Sequence, residues 1–322
     1  MNVLVTGGAG YIGSHTAKAL VHAGFIPVVF DNLSRGNRWA LKFGEFAEGD
    51  LSDKVRIRQV LAKHKIEAVI HFAAYINVGE SVPHPELYFR NNTANALTLL
   101  EAMHEENVRR IVFSSTAAVY GDPQTPILPE THPKNPVNPY GESKLAVENM
   151  LKWFSPAFPL GYVALRYFNA SGADPDGEVG EAHDPETHLI PRIIFAAQGK
   201  LDAIDVFGTD YETADGTAIR DYVHVLDLAD AHIRALGYLE QGGASTAFNL
   251  GSGRGFSVKE VIDMVEKVSG RKVPVRYGPR RAGDPPMLIA DSTRANEILG
   301  WKAQYSLEEI VRTAWNWHGK QG

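Results

Sequence analysis

A glycine run, Gly7-Gly8-Ala9-Gly10-Tyr11-Ile12-Gly13, follows the apolar triplet Val3-Leu4-Val5 and precedes a stretch of helical spacing from about Ser14 to Ala23, closed by Gly24. No other feature constrains the fold as much. Gly8, Gly10 and Gly13 fit G-x-G-x-x-G, and Gly7, Gly10 and Gly13 fit G-x-x-G-x-x-G. A strand that turns through glycines into a helix aims backbone N–H groups and a positive helix end at one point, which suits a pyrophosphate. Alone the motif is a weak signal. Here Asp31 answers it at the end of the next strand, Val28-Val29-Phe30, where a carboxylate accepts hydrogen bonds from a ribose. That carboxylate repels a 2′-phosphate, so the expected dinucleotide is NAD rather than NADP. Arg35 and Arg38 lie close behind it.

The alternation continues. A helix is expected over about Lys54 to Lys65, a strand at Ala68-Val69-Ile70, a helix over about Ala94 to Glu106 and a strand at Arg110-Ile111-Val112-Phe113. Asn138 and Pro139 read as N-cap and first residue of a further helix, and Tyr162-Val163-Ala164-Leu165 as a strand. Strands alternating with helices predict an α/β fold, a Rossmann-type doubly wound parallel sheet. After Asn169 the texture changes, and Ala170 to His188 is irregular and rich in Gly, Pro, Asp and Glu. A chain of 322 residues suits two lobes. The expected division is an NAD-binding domain over 1–169, with return segments near 222–251, and a smaller α/β substrate-binding lobe over 170–322. Phe248-Asn249-Leu250-Gly251 reads as a return strand, and Val258 to Val268 and Leu307 to Trp317 as helices.

Composition narrows the partners. A net charge of −6 argues against nucleic acid or an anionic membrane as main partner. No apolar run approaches the ~20 residues of a membrane span. Zero cysteines exclude disulfides, thiolate catalysis and cysteine zinc sites. Met1-Asn2-Val3 runs straight into a strand without a basic stretch, and the expected location is cytoplasmic. The histidines show no H-E-x-x-H pattern, no metal is expected, and His183 and His188 read as surface residues.

Tyr140 and Lys144 stand one helical turn apart on one face. A free phenol titrates near about 10 and is a poor base at neutral pH. A neighbouring ammonium and an oxidised nicotinamide favour the phenolate. Y-x-x-x-K alone recurs by chance. Behind a nucleotide-binding half it does not stand alone, because Phe113-Ser114-Ser115-Thr116 puts hydroxyls at the carboxyl edge of the sheet, expected just past the strand. A phenolate beside a nicotinamide implies hydride chemistry on an alcohol.

Thr6-Gly7-Gly8-x-Gly10-Tyr11-Ile12-Gly13 together with Tyr140-x-x-x-Lys144 resembles the extended short-chain dehydrogenase/reductase superfamily. Further stretches carry the resemblance closer, to the UDP-glucose 4-epimerase family. They are Asp31-Asn32-Leu33, His71-Phe72-Ala73-Ala74, Val78-Gly79-Glu80-Ser81, Arg166-Tyr167-Phe168-Asn169, Arg220-Asp221-Tyr222-Val223-His224-Val225, Pro279-Arg280-Arg281-x-Gly283-Asp284 and Ala290-Asp291. The resemblance spans nearly the whole chain. It implies C4 epimerisation of UDP-sugars through a transient 4-keto sugar, with Tyr140 as base, Lys144 as the ammonium that lowers its pKa and Thr116 as hydroxyl partner. It also implies a homodimer built from the Asn95-to-Met103 and Leu145-to-Trp153 helices.

By the same resemblance NAD contacts Gly7, Gly10, Tyr11, Ile12, Gly13, Asp31, Asn32, Asp50, Leu51, Phe72, Ala73, Ala74, Asn91, Tyr140, Lys144 and Phe168. The UDP-sugar contacts Thr116, Tyr140, Asn169, Leu189, Phe207, Arg220, Tyr222, Arg281, Asp284 and Leu288. Two positions depart from many members, Ile76 where they carry Lys and Leu288 where some carry Tyr. Leu288 leaves room for an N-acetylated hexosamine. A 4,6-dehydratase needs a carboxylic acid beside the reacting hydroxyl, and Ala117 and Ala118 supply none. A decarboxylase acting on a UDP-uronic acid is disfavoured, a UDP-uronate 4-epimerase stays open, and a regulator that merely holds NAD has no use for an intact Thr116, Tyr140 and Lys144.

Overall fold

The computed structural model describes residues 1–281 and 284–320. β1 (Asn2–Thr6) turns through the glycines into α1 (Tyr11–His22) and returns as β2 (Ile26–Asp31). β3 (Glu45–Glu48), α2 (Lys54–Lys63) and β4 (Ala68–His71) follow. The short turns α3 (Val78–Ser81) and α4 (Pro85–Tyr88) lead into α5 (Asn95–Glu105), then β5 (Arg110–Thr116) and β6 (Ile127–Leu128). α6 (Pro139–Ala157), β7 (Gly161–Tyr167), β8 (Asn169–Ser171) and α7 (Leu189–Ala197) come next. After them run β9 (Ile204–Phe207), β10 (Ile219–His224), α8 (Val225–Glu240), β11 (Thr246–Leu250) and β12 (Gly255–Ser257). α9 (Val258–Ser269), β13 (Val275–Gly278), β14 (Met287–Ala290), α10 (Thr293–Leu299) and α11 (Leu307–Lys320) complete the chain.

Seven strands form one sheet in the order β11-β7-β5-β4-β1-β2-β3, and every neighbouring pair is parallel. The apolar strands are continuous because both faces are covered, as a parallel sheet requires. On one face Leu4, Phe30, Val69 and Ile111 meet α2, α5 and α6 through Leu61, Leu100 and Leu151. On the other Val3, Val5, Ile70 and Val112 meet α1 and α8 through Leu20 and Leu236, and Trp301 joins them. Adjacent residues of a strand thus face opposite layers, and each such buried aliphatic contributes about 1.5–3 kcal/mol. Strand order reverses between β1 and β4, so a crevice opens where β1 ends in the glycines and β4 ends before Phe72.

β11 and α8 carry the chain back onto this sheet late in the sequence. A second core joins α7, α9 and α11 with Val206 and Tyr222. Its strands run in the order β12-β10-β14-β6, with β8 paired to β10 and β13 to β9. The β10 sheet therefore stands at the end of the crevice, because β8 follows β7 after a single residue.

Two local differences from the sequence reading bear on the site. α1 begins at Tyr11, directly after the glycines, rather than near Ser14. β5 runs on to Thr116, so Ser114, Ser115 and Thr116 belong to the strand rather than lying just past it.

Candidate active site

A cleft of about 780 Å³ lies over the switch between β1 and β4, a volume that suits a small-molecule site. Gly7, Gly10, Tyr11, Ile12 and Gly13 line it, as do Asp31, Asn32, Asp50, Leu51, Phe72, Ala73, Ala74 and Asn91. Thr116, Tyr140, Lys144, Phe168, Asn169, Arg220 and Leu288 line the same cleft, as does Ile76. Residues far apart in sequence thus meet on one surface. Leu189, Phe207, Tyr222, Arg281 and Asp284 are not among the lining residues, contrary to expectation. Tyr222 is buried in the second core, which Leu189 also joins. Arg281 stacks on the Phe207 ring at 3.9 Å, so cation and ring engage each other. Asp284 is taken by an ion pair with Arg220. Gly283 of the same motif lies outside the described residues.

The glycine positions are required by close backbone approach. A Cβ on Gly7, which sits at φ +71, would stand 2.6 Å from the Ala73 nitrogen, and one on Gly13 would stand 2.3 Å from the Gly7 carbonyl. α1 is capped by Gly10 with no side-chain hydrogen bond, so its first-turn N–H groups are left for an anion. Asp31 accepts from the Ala9 N–H at 3.0 Å and the Leu33 N–H at 2.8 Å, which fixes the carboxylate beside the loop. Asn32 donates to Asp50 at 2.5 Å on the same rim. Arg35 pairs with Glu80 at 3.0 Å and Arg38 with Glu48 at 3.2 Å. The two nearby cations are thus engaged by carboxylates, which leaves the site acidic where a 2′-phosphate would sit. A glycine cradle, an open helix end and a ribose-facing carboxylate fit NAD.

The reactive group is built by β5 and α6. Asn138 accepts from the Gly141 N–H at 2.9 Å and Pro139 takes the first helical position, which sets Tyr140 in the first turn. Thr116 ends β5 and accepts from the Ala118 N–H at 3.1 Å, so its own proton remains to be donated. Burial raises the Tyr140 pKa, and a hydrogen bond from the Thr116 hydroxyl pulls it the other way. Lys144 is sealed from water and donates to the Ser114 carbonyl at 2.8 Å. Burial lowers its pKa to about 7. Of the two partners expected for Tyr140, Thr116 is the one whose hydrogen bond opposes the rise caused by burial.

Several residues escaped the sequence reading. Behind the cleft Arg166 binds Glu148, and Ser115 donates to Glu148 at 2.6 Å. Arg166 also donates to the Tyr120 hydroxyl at 2.9 Å, which donates to Asn249 at 2.5 Å. This chain ties α6, β5, β7 and β11 together under the reactive group. One signal was present: Tyr140, Lys144 and Glu148 recur every fourth residue on one helix face. His183 and His188, expected at the surface, are instead partly buried and gathered with Glu181 and Glu186. These four can present ligand atoms to one ion. Tyr11 reaches across to donate to the Gly172 carbonyl at 2.6 Å.

A doubly wound sheet with a glycine cradle, an acidic ribose position and a Thr/Tyr/Lys group defines a dinucleotide-dependent enzyme of the short-chain dehydrogenase/reductase type. The chain belongs to the NAD dependent epimerase/dehydratase family, whose profile matches residues 3–251. It is an epimerase that uses NAD. It is 53% identical over 318 residues to a UDP-glucose 4-epimerase of Rhizobium leguminosarum bv. trifolii, covering 99% of this chain and 97% of that protein. A crystal structure of UDP-glucose 4-epimerase from Brucella ovis in complex with NAD superposes with TM-score 0.96 at 52% identity, covering 98% of this chain and 97% of that one. A UDP-Glc/GlcNAc 4-epimerase from Campylobacter jejuni superposes with TM-score 0.88 at 43% identity, covering 99% of each chain.

Proposed function

We propose that this protein interconverts UDP-glucose and UDP-galactose at C4 and also acts on N-acetylated UDP-hexosamines. The observation that carries the reading is that Thr116, Tyr140 and Lys144 face the same cleft as the glycine cradle. The relatives' names supply the sugar nucleotide.

When bound, NAD would supply a reversible hydride acceptor for C4. Tyr140 takes the proton of the C4 hydroxyl as the carbonyl forms, and returns it after the 4-keto sugar has turned over. Thr116 donates to the same oxygens and holds them in line. Lys144, neutral or charged near its pKa of about 7, sits where a cationic cofactor and a phenolate decide its proton. Ala117 and Ala118 line the cleft beside Thr116 and offer no acid, so C6 elimination has no catalyst there.

Residues 1–169 hold most of the NAD in this proposal, and 170–322 most of the UDP-sugar. Arg220 and Asn169 face the cleft and take the diphosphate, since a guanidinium fork suits phosphate oxygens. Leu189, Phe207, Tyr222, Arg281 and Asp284 rest on the resemblance alone. α5 and α6 form the homodimer face, to which Leu97, 38% exposed, and Trp153, 73% exposed, contribute apolar surface; light scattering giving a monomer mass would oppose it. No helix among the described residues is long and apolar enough to cross a membrane. The proposed location is the cytoplasm. The test is incubation of purified protein with a panel of UDP-sugars, without added NAD, and chromatography of the C4 epimers. Turnover of a UDP-uronate pair but not of UDP-glucose would replace the substrate named here.

A further inference from the structure

Glu181, His183 and His188 line the cleft, and their ligand atoms and that of Glu186 all lie within 4.8 Å of one another. His183 Nδ1 stands 3.0 Å from Glu181 Oε1 and 3.7 Å from Glu186 Oε2. His188 Nδ1 stands 2.9 Å from the same Glu181 oxygen and 2.8 Å from Glu186 Oε1. Around a zinc ion with bonds of ~2.0–2.1 Å, tetrahedral ligand atoms lie about 3.3 Å apart. The four separations bracket that edge length. Both rings present the same nitrogen, and both converge on one carboxylate oxygen.

The carboxylates are withdrawn from solvent, with side chains 5% exposed at Glu181 and 7% at Glu186. Buried carboxylates require a cation. A second acidic group in the same irregular stretch, Asp174, Asp176 and Glu178, has one built in. Lys18 reaches these residues at 2.9, 2.7 and 2.7 Å. At the Glu181 group no lysine or arginine side chain makes an ion pair among the described residues. The two imidazoles balance the charge there: burial acts to lower their pKa, but the carboxylates outweigh it and raise the pKa to about 9 at His183 and about 10 at His188, so a metal ion would take the place of their Nδ1 protons.

We propose that Glu181, His183, Glu186 and His188 form a divalent-cation site, with zinc the ion that the two-imidazole, two-carboxylate set fits best. The site is structural. It clasps residues 181–188 between the first turn of α1, where the His183 ring meets Tyr11 edge-on at 6.1 Å, and the start of α7 at Leu189. The Glu181 carbonyl accepts from Trp317 Nε1 at 2.8 Å, which anchors the other end of the clasp to α11. A closed four-ligand set leaves no open position for substrate, so the ion takes no part at C4.

The test uses the NAD-loaded enzyme, purified without metal affinity, stripped with chelator and titrated with zinc chloride against a chromophoric chelator. One zinc per chain is expected, with a rise in melting temperature and, by X-ray absorption, N/O ligands at ~2.0–2.1 Å. The His183→Ala/His188→Ala double variant should lose this binding. Retained NAD and an unchanged near-UV circular dichroism spectrum would show that the double variant folds. Glu186→Gln, which keeps the side-chain shape, should bind at least ~10-fold more weakly, since even changes to the groups that merely support a ligand cost that much. A wild type that takes up no stoichiometric zinc overturns the site. So does a double variant or a Glu186→Gln variant that binds zinc as the wild type does.

Discussion

Arg166 meets Glu148 through two nitrogens, Nε to Oε1 at 2.8 Å and Nη2 to Oε2 at 2.6 Å, with both side chains nearly sealed from water. This fork joins the strand that precedes Phe168 and Asn169 to the helix that carries Tyr140 and Lys144. Removing one partner strands a buried charge. Glu148→Ala should therefore lower the stability of the NAD-loaded protein by about 3–5 kcal/mol, read from urea unfolding. A loss below about 1 kcal/mol, the scale of an exposed pair, would mean that Arg166 finds another anion.

Thr116 accepts from the Ala118 N–H, which leaves its own proton to donate. Thr116→Val removes that donor while preserving shape. Because hydrogen bonds to charged oxygens contribute ~1.5–3 kcal/mol, kcat should fall by roughly 10- to 150-fold with NAD still bound. Thr116→Ser should recover most of it. Equal loss in the Val and Ser variants would assign Thr116 to packing.

Lys144 couples stability to pH. Burial holds its folded pKa near about 7, below the ordinary 10.5, so the unfolded chain binds the extra proton between those values. In NAD-stripped protein the burial cost is full below about pH 7 and fades as pH rises toward 10.5. Stability should thus climb by a few kcal/mol across that window, at ~1.4 kcal/mol for each step of one in pH. Lys144→Met should flatten the slope, and an equal slope in the variant would trace it to other groups.

Leu288 lines the cleft beside Phe168, against Ala117 and Leu145. A tyrosine ring there would fill space that an acetyl group at C2 needs. Wild type should turn over UDP-N-acetylgalactosamine, and Leu288→Tyr should lose that activity selectively. If the two proteins discriminate the acetyl group equally, Leu288 is not the gate.

The NAD half of the site was legible because it is local. Gly7 to Gly13 and Asp31 are close in sequence, and backbone geometry restricts the residue types allowed there. The Tyr140 helix was legible through Asn138, Pro139 and a four-residue spacing. The helix at Leu189–Ala197 and the strand at Ile219–His224 were not, since each gains its definition from long-range partners such as Val261 and Ser257. Arg281 and Phe207 read separately as contacts of the UDP-sugar, whereas their mutual stacking is a tertiary fact that no spacing records. The convergence of His183 and His188 on Glu181 was hidden for the same reason, within a segment that has no period to read.

Tyr140 and bound NAD are expected to oxidise and then re-reduce the same sugar carbon. The direct measurement is conversion of UDP-glucose carrying deuterium at C4, followed by mass spectrometry of the UDP-galactose formed. The expected result is full retention of the label at C4 without added NAD, and a Tyr140→Phe variant that keeps its NAD but is slower by ~10²–10⁴-fold, as loss of a general base predicts. Label lost to solvent, or a Phe variant as fast as the wild type, would contradict it.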